Sequence, residues 1–126
     1  MLKLRAVLAV VALLLSGGSW AEGCETPYKD LLKQNNANIS RLSVGMTKDA
    51  VASVMTMCTT KVHETEYSNP FRADAVQKGQ DAYEVLYYLT RGHPPFTPIR
   101  ESQATPVVLK NGLVVGWGQA ALQSIR

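Results

Sequence analysis

Cys24, Cys58, His63, Glu64, Glu66 and His93 are the side chains of this 126-residue chain best suited to bind a metal or attack a substrate. A cysteine nucleophile needs a lowered thiol pKa, which helix N-termini and neighbouring cations provide. Cys58 instead ends an apolar helical pattern, Ala50, Val51, Val54, Met55 and Cys58. There the negative end of the helix dipole raises a thiol pKa. With His63 or His93 as base, a cysteine-dependent enzyme is the weakest reading, and a structural cysteine the stronger one. His63 and Glu64 fall on opposite faces of an alternating stretch, and no Cys or His stands at a zinc spacing. The four His and Glu side chains therefore read as exposed polar positions. Neither a Gly-rich phosphate loop nor a Gly-x-Ser-x-Gly elbow occurs, so no metal, cofactor or catalytic residue is assigned.

The elements that would position any site are organised around Thr105 to Gly118. Two β-branched apolar runs there flank Asn111-Gly112, the pair best suited to φ > 0 at both centres of a type I′ turn. That turn sets Lys110 opposite Leu113, Leu109 opposite Val114 and Val108 opposite Val115. One face then carries Val108, Val115 and Trp117, the other Val107, Leu109 and Val114. An isolated hairpin is marginal in water, so a larger sheet must hold it.

Residues 1–21 read as a secretory signal peptide. Lys3 and Arg5 precede the ten-residue apolar run Ala6 to Leu15, and Ser19-Trp20-Ala21 offers small residues for cleavage. Ten apolar residues are too few for a membrane anchor, which needs roughly 20. The expected mature chain is a single domain, residues 22–126, with no transmembrane segment. Eleven basic side chains then face ten acidic ones, so no basic stripe points to nucleic acid. An even cysteine count in an exported protein suggests a Cys24–Cys58 disulfide. Lipid attachment at Cys24 and two free thiols are the alternatives; Glu22 suits a lipidation site poorly.

A first helix is expected over 25–40, with Pro27 in its first turn. Thr47 is the expected N-cap of a second, with Met46 and Val51 as a hydrophobic staple. Residues 61–67 alternate as a short strand that Ser68-Asn69-Pro70 ends. Phe71 to Gln80 reads as a polar loop. Asp81 to Thr90 carries apolar residues on both faces, as a central strand would. Arg91 to Ala104 is a long, proline-stiffened loop, and Gln119 to Arg126 has the makings of a terminal helix.

Leu42-Ser43-Val44-Gly45-Met46-Thr47-Lys48-Asp49-Ala50-Val51 resembles the opening motif of the SmpA/BamE-like family of small bacterial envelope proteins. Asn69-Pro70-Phe71-Arg72, Tyr83 to Thr90 and Leu109 to Gly118 resemble a branch of its uncharacterised periplasmic relatives. The resemblance spans about residues 39–118. It implies an α+β fold, two N-terminal helices packed on a three-stranded antiparallel sheet, with room for a short extra strand and a C-terminal helix. It also implies binding to other proteins rather than catalysis. In that family the second helix usually ends in Gly-x-Pro. Here Thr56-Met57-Cys58 stands there, so the helix is expected to run about one turn further. Cys58 would then reach its inner face, and a bond to Cys24 would pin the two helices together.

Asn69, Pro70 and Phe71, the loop residues Arg91, Phe96 and Arg100, and Trp117 are the candidate protein-binding positions. Two helices cover only one face of a sheet that is apolar on both. The second face is thus either an open interaction surface, suited to a homodimer, or covered by the N-terminal segment, the long loop or the terminal helix. The resulting expectation is a non-catalytic periplasmic binding or accessory protein of the cell envelope, linked to outer-membrane assembly or maintenance. The alternative is a secreted inhibitor of a hydrolase.

Overall fold

Thr47 starts a helix as its sequence predicts: its Oγ1 accepts the Ala50 N–H at 3.1 Å. The computed structural model describes residues 24–93 and 97–126. In chain order the elements are α1 (Tyr28–Ile39), α2 (Lys48–Met55), β1 (Thr60–Val62), β2 (Thr65–Tyr67), β3 (Arg72–Lys78) and β4 (Asp81–Leu89). A 3₁₀ turn (Glu101–Gln103), β5 (Ala104–Lys110), β6 (Leu113–Trp117) and α3 (Gln119–Gln123) follow. The expected signal peptide and Phe96 lie outside the described residues.

The α+β class holds, but the expected three-stranded sheet is corrected. Strands β3-β4-β5-β6 form a four-stranded antiparallel sheet, and β1-β2 a separate two-stranded one. The added strand is β3, from the stretch read as a polar loop. Its neighbours β4 and β5 already supply the core, so β3 needs few apolar residues to join them. The single strand expected over 61–67 is also corrected. His63 (φ 51°) and Glu64 (φ 67°) form a two-residue turn between β1 and β2.

One sheet face packs on α2. Leu42, Val51 and Met55 bury Leu86, Tyr88, Val107, Leu109 and Val114 there. Burial pushes the Tyr88 phenol up to about 12, so it stays neutral in this core. The other face is not open. Leu122 and Ile125 of the C-terminal segment pack on Val85, Tyr87, Ala104 and Val108. A homodimer through an exposed sheet face is thereby left without its surface.

The Asn111-Gly112 turn forms as expected, with φ of 51° and 89°. Beyond it the expected register fails by one residue. Leu109 pairs with Val114, but Val108 pairs with Gly116 and Val107 with Trp117. Val115 is the extra residue of a β-bulge, which moves Trp117 onto the α2 face. Gly116 takes the α3 face, where a Cβ would lie 3.2 Å from Ala121 Cβ. The bulge thus puts the one side-chain-free residue under the helix.

The expected extension of α2 is corrected as well. The helix stops at Met55, and Thr56 takes φ 63°. Asn69 closes this end without glycine, because its amide donates to the carbonyls of Met55 and Thr56, both at 3.0 Å. Cys58 lies beyond the helix and is joined to Cys24 by a disulfide. The bond therefore ties the segment before α1 to the segment after α2, instead of pinning two helix faces. Thr26 N–H to Thr59 O (2.8 Å) and Thr59 N–H to Cys24 O (2.9 Å) run alongside it.

Candidate functional site

The start of β3 is positioned from below by a buried pair of amides. Asn69 is 2% exposed and Asn35 is fully buried on α1. Each donates to the other's side-chain oxygen, at 2.9 and 3.1 Å, and Asn35 also donates to Leu89 O at 2.8 Å. Buried amides are costly unless bonded, so this pair locks α1, the end of α2 and β4 around one point. The Asn69-Pro70 bond is cis, and Phe71 then packs its ring edge-on to Tyr87.

Above that point lies a groove of about 420 Å³ lined by Lys48, Met57, Ser68, Asn69, Pro70, Phe71, Arg72, Ala73 and Leu86. Met57 is 68% exposed at its rim. The charged groups around it are held by partners within the chain. Lys48 Nζ lies 2.7 Å from Glu84. Arg72 bonds Glu101 at 2.7 Å and Asp74 at 3.1 Å, with its guanidinium 4.3 Å from the Tyr87 ring centroid. Burial works to lower the Arg72 pKa, but the bonds to Glu101 and Tyr87 turn the shift upward. The Arg72 hydrogen bond holds the Glu101 carboxyl below its ordinary value against desolvation, and Arg126 adds to the effect. Arg126 also bonds Glu101 at 3.0 Å, which fastens the C-terminal segment.

β3 itself pairs with β4 alone and forms one outer edge of the sheet. Ala82 turns its N–H and C=O away from β3, toward Asn111 (2.9 and 2.7 Å). Its β3 partner is Gln77, so by alternation the main-chain groups of Ala73, Ala75 and Gln77 point outward. Those three side chains are exposed on the α2 side.

The candidate positions separate into three places. Asn69, Pro70 and Phe71 converge on the groove, with Asn69 bonded inside it. Arg91 and Arg100 are exposed on the long loop, anchored by Arg91 N–H to Gln103 O and Arg100 N–H to Gln103 Oε1. Trp117 is half-buried on β6, at the opposite edge of the sheet. His63, Tyr67, His93 and Ile99 line a second cavity of about 500 Å³. There Tyr28 Oη lies 3.0 Å from His93 Nδ1. Burial raises the Tyr28 pKa, with Tyr67 adding to it. Among the described residues no group of three or more His, Cys, Asp or Glu could hold a metal. The sequence reading missed Lys48, Met57, Ser68, Ala73 and Leu86 as groove residues. The alternation Arg72, Asp74, Val76, Lys78 was the available signal for the strand that carries Ala73.

The family described as protein of unknown function DUF3192 matches residues 21–124. The chain belongs to that family. No curated protein and no solved structure matches it. Among the described residues no helix is long and apolar enough to cross a membrane.

Proposed function

We propose that this DUF3192 protein is a non-catalytic binding module of the bacterial cell envelope, exported to the periplasm, which engages another protein at the β3 edge and its groove. The observation that carries this reading is a strand with no cap among the described residues, beside an apolar groove whose charged rim is internally paired. Such a surface offers main-chain hydrogen bonds and an apolar pocket, the two ingredients of peptide recognition. The Cys24–Cys58 bond fits an oxidising compartment. The SmpA/BamE-like resemblance supports a link to outer-membrane assembly or maintenance. The hydrolase-inhibitor alternative drew on an open sheet face, which α3 fills, so it retains only the long loop. A cysteine-dependent reaction would first require the disulfide to open.

A photo-crosslinking amino acid at Ala73, with a control at exposed Gln123, tests this reading in intact cells. A discrete adduct with an envelope protein from Ala73 alone is the expected result. No adduct, or the same adducts from both positions, overturns it.

A further inference from the structure

Resting on that reading, we infer that β3 is a strand acceptor: the partner adds an extended segment antiparallel to β3, with an acidic residue followed three and five positions later by apolar ones. Three features of the edge lead there. Ala73, Ala75 and Gln77 present main-chain donors and acceptors outward, in the spacing an added strand uses. Natural edges are normally blunted by proline, bulges, inward-pointing charges or edge lysines, and β3 carries its one lysine, Lys78, at its far end. β3 has no proline, and its pairing with β4 is regular from Arg72 to Lys78.

The second feature is room. On the α2 side β3 carries only Ala73, Ala75 and Gln77, so side chains of an added strand meet no bulk there. A residue opposite Ala73 sits over the groove formed by Met57, Pro70 and Leu86. One opposite Ala75 lies next to it on the same face. Both positions call for apolar side chains.

The third feature is charge. On the other side β3 presents Arg72, Asp74, Val76 and Lys78. Arg72 and Asp74 are bonded to each other, whereas Lys78 has no ionic partner among the described residues. A carboxylate opposite Lys78 completes the pairing. In antiparallel order this position precedes those opposite Ala75 and Ala73 by three and five residues. A second copy fits less well: centred on Ala75, its β3 would set Arg72 opposite Lys78, like charge to like.

The test pans a phage-displayed library of twelve-residue peptides against the full oxidised protein, then follows amide exchange by NMR with a selected peptide bound. Peptides of the form acid-x-x-apolar-x-apolar are expected, slowing exchange at Ala73, Ala75 and Gln77 at least tenfold. Ala75→Pro removes one outward donor and should weaken binding at least tenfold. Lys78→Glu, which leaves the backbone alone, should switch the preferred first residue from acidic to basic. Selected peptides that leave those amides unprotected, or keep their preference against Lys78→Glu, overturn strand addition. The Ala73 crosslink would then still decide the protein-binding reading by itself. A library yielding no binder, or a β3-to-β3 dimer in sedimentation without peptide, also overturns the inference.

Discussion

The two outer strands of the sheet are finished in different ways. At the β6 edge, Gly45 N–H donates to Val114 O and Val114 N–H to Met46 O, both at 2.8 Å. The turn into α2 thus doubles as an edge cap, and the bulge at Val115 further spoils that edge for pairing. At the β3 edge no such cap exists among the described residues. Its first residues are supported from beneath by the buried Asn35–Asn69 pair. The difference teaches where the chain tolerates company. One edge is closed by main-chain bonds and special backbone geometry, while the other is held from underneath and left to face outward.

If β3 depends on that buried support, Asn69→Ala should be the most damaging change. It strips the Asn35 amide of both bonds to Asn69, leaving it only Leu89 O, and takes the Asn69 donor from two helix-end carbonyls, at a cost of about 3 kcal/mol. Urea unfolding would show it, and a loss below a third of that would break the comparison. On the β6 side, Gly116→Val should cost about 2 kcal/mol, because its side chain must displace Ala121. Gly45 holds φ 94° where it caps β6, so Gly45→Ala should cost about 1 kcal/mol in the same assay. Ala75→Pro on the open edge should cost less than ~1 kcal/mol, since the N–H it removes faces outward. Equal losses at Gly45 and Ala75 would erase the distinction between the edges.

The smallest effect is a pH dependence. The Glu101 pKa is lowered by folding, so its contribution is fully present above the ordinary glutamate value of 4.5 and fades as pH falls below it. Wild type and Glu101→Gln should therefore differ in urea midpoint at pH 7 and converge at acid pH. Trp117 fluorescence in a protein lacking Trp20 would report it. A gap that widens in acid would mean that the ion pairs of Glu101 with Arg72 and Arg126 do not stabilise the fold.

How much of this was legible in the sequence depended on whether a residue's type matched its job. Asn111-Gly112 announced its turn, Thr47 its cap, and the two-sided apolar pattern of Tyr83 to Leu89 its central position. β3 stayed hidden because alanine, aspartate and glutamine carry little strand preference, and its place is set by β4. The end of α2 was misread because asparagine from a distant turn, not glycine at the helix end, satisfies the carbonyls. The register slip was equally invisible, since Val115 and Gly116 both fit an unbroken strand. Of the candidate site, Pro70 and Phe71 were readable from their own turn. Met57 and Leu86 were not, because only tertiary packing brings them to the same groove.

Val115 acts as a parity bit. With it in place, Trp117 falls on one side of the sheet and the glycine before it lies under α3. Drawing this residue back into the ladder, opposite Val108, would reverse the count, and every position after it would change sides. Trp117 would swap cores and Gly116 would leave its place beneath Ala121. Across the family, the single-residue deletion between the Asn111-Gly112 turn and α3 that both cores can accept should therefore be loss of the bulge itself, which leaves Val108 facing Gly116 and Val107 facing Trp117.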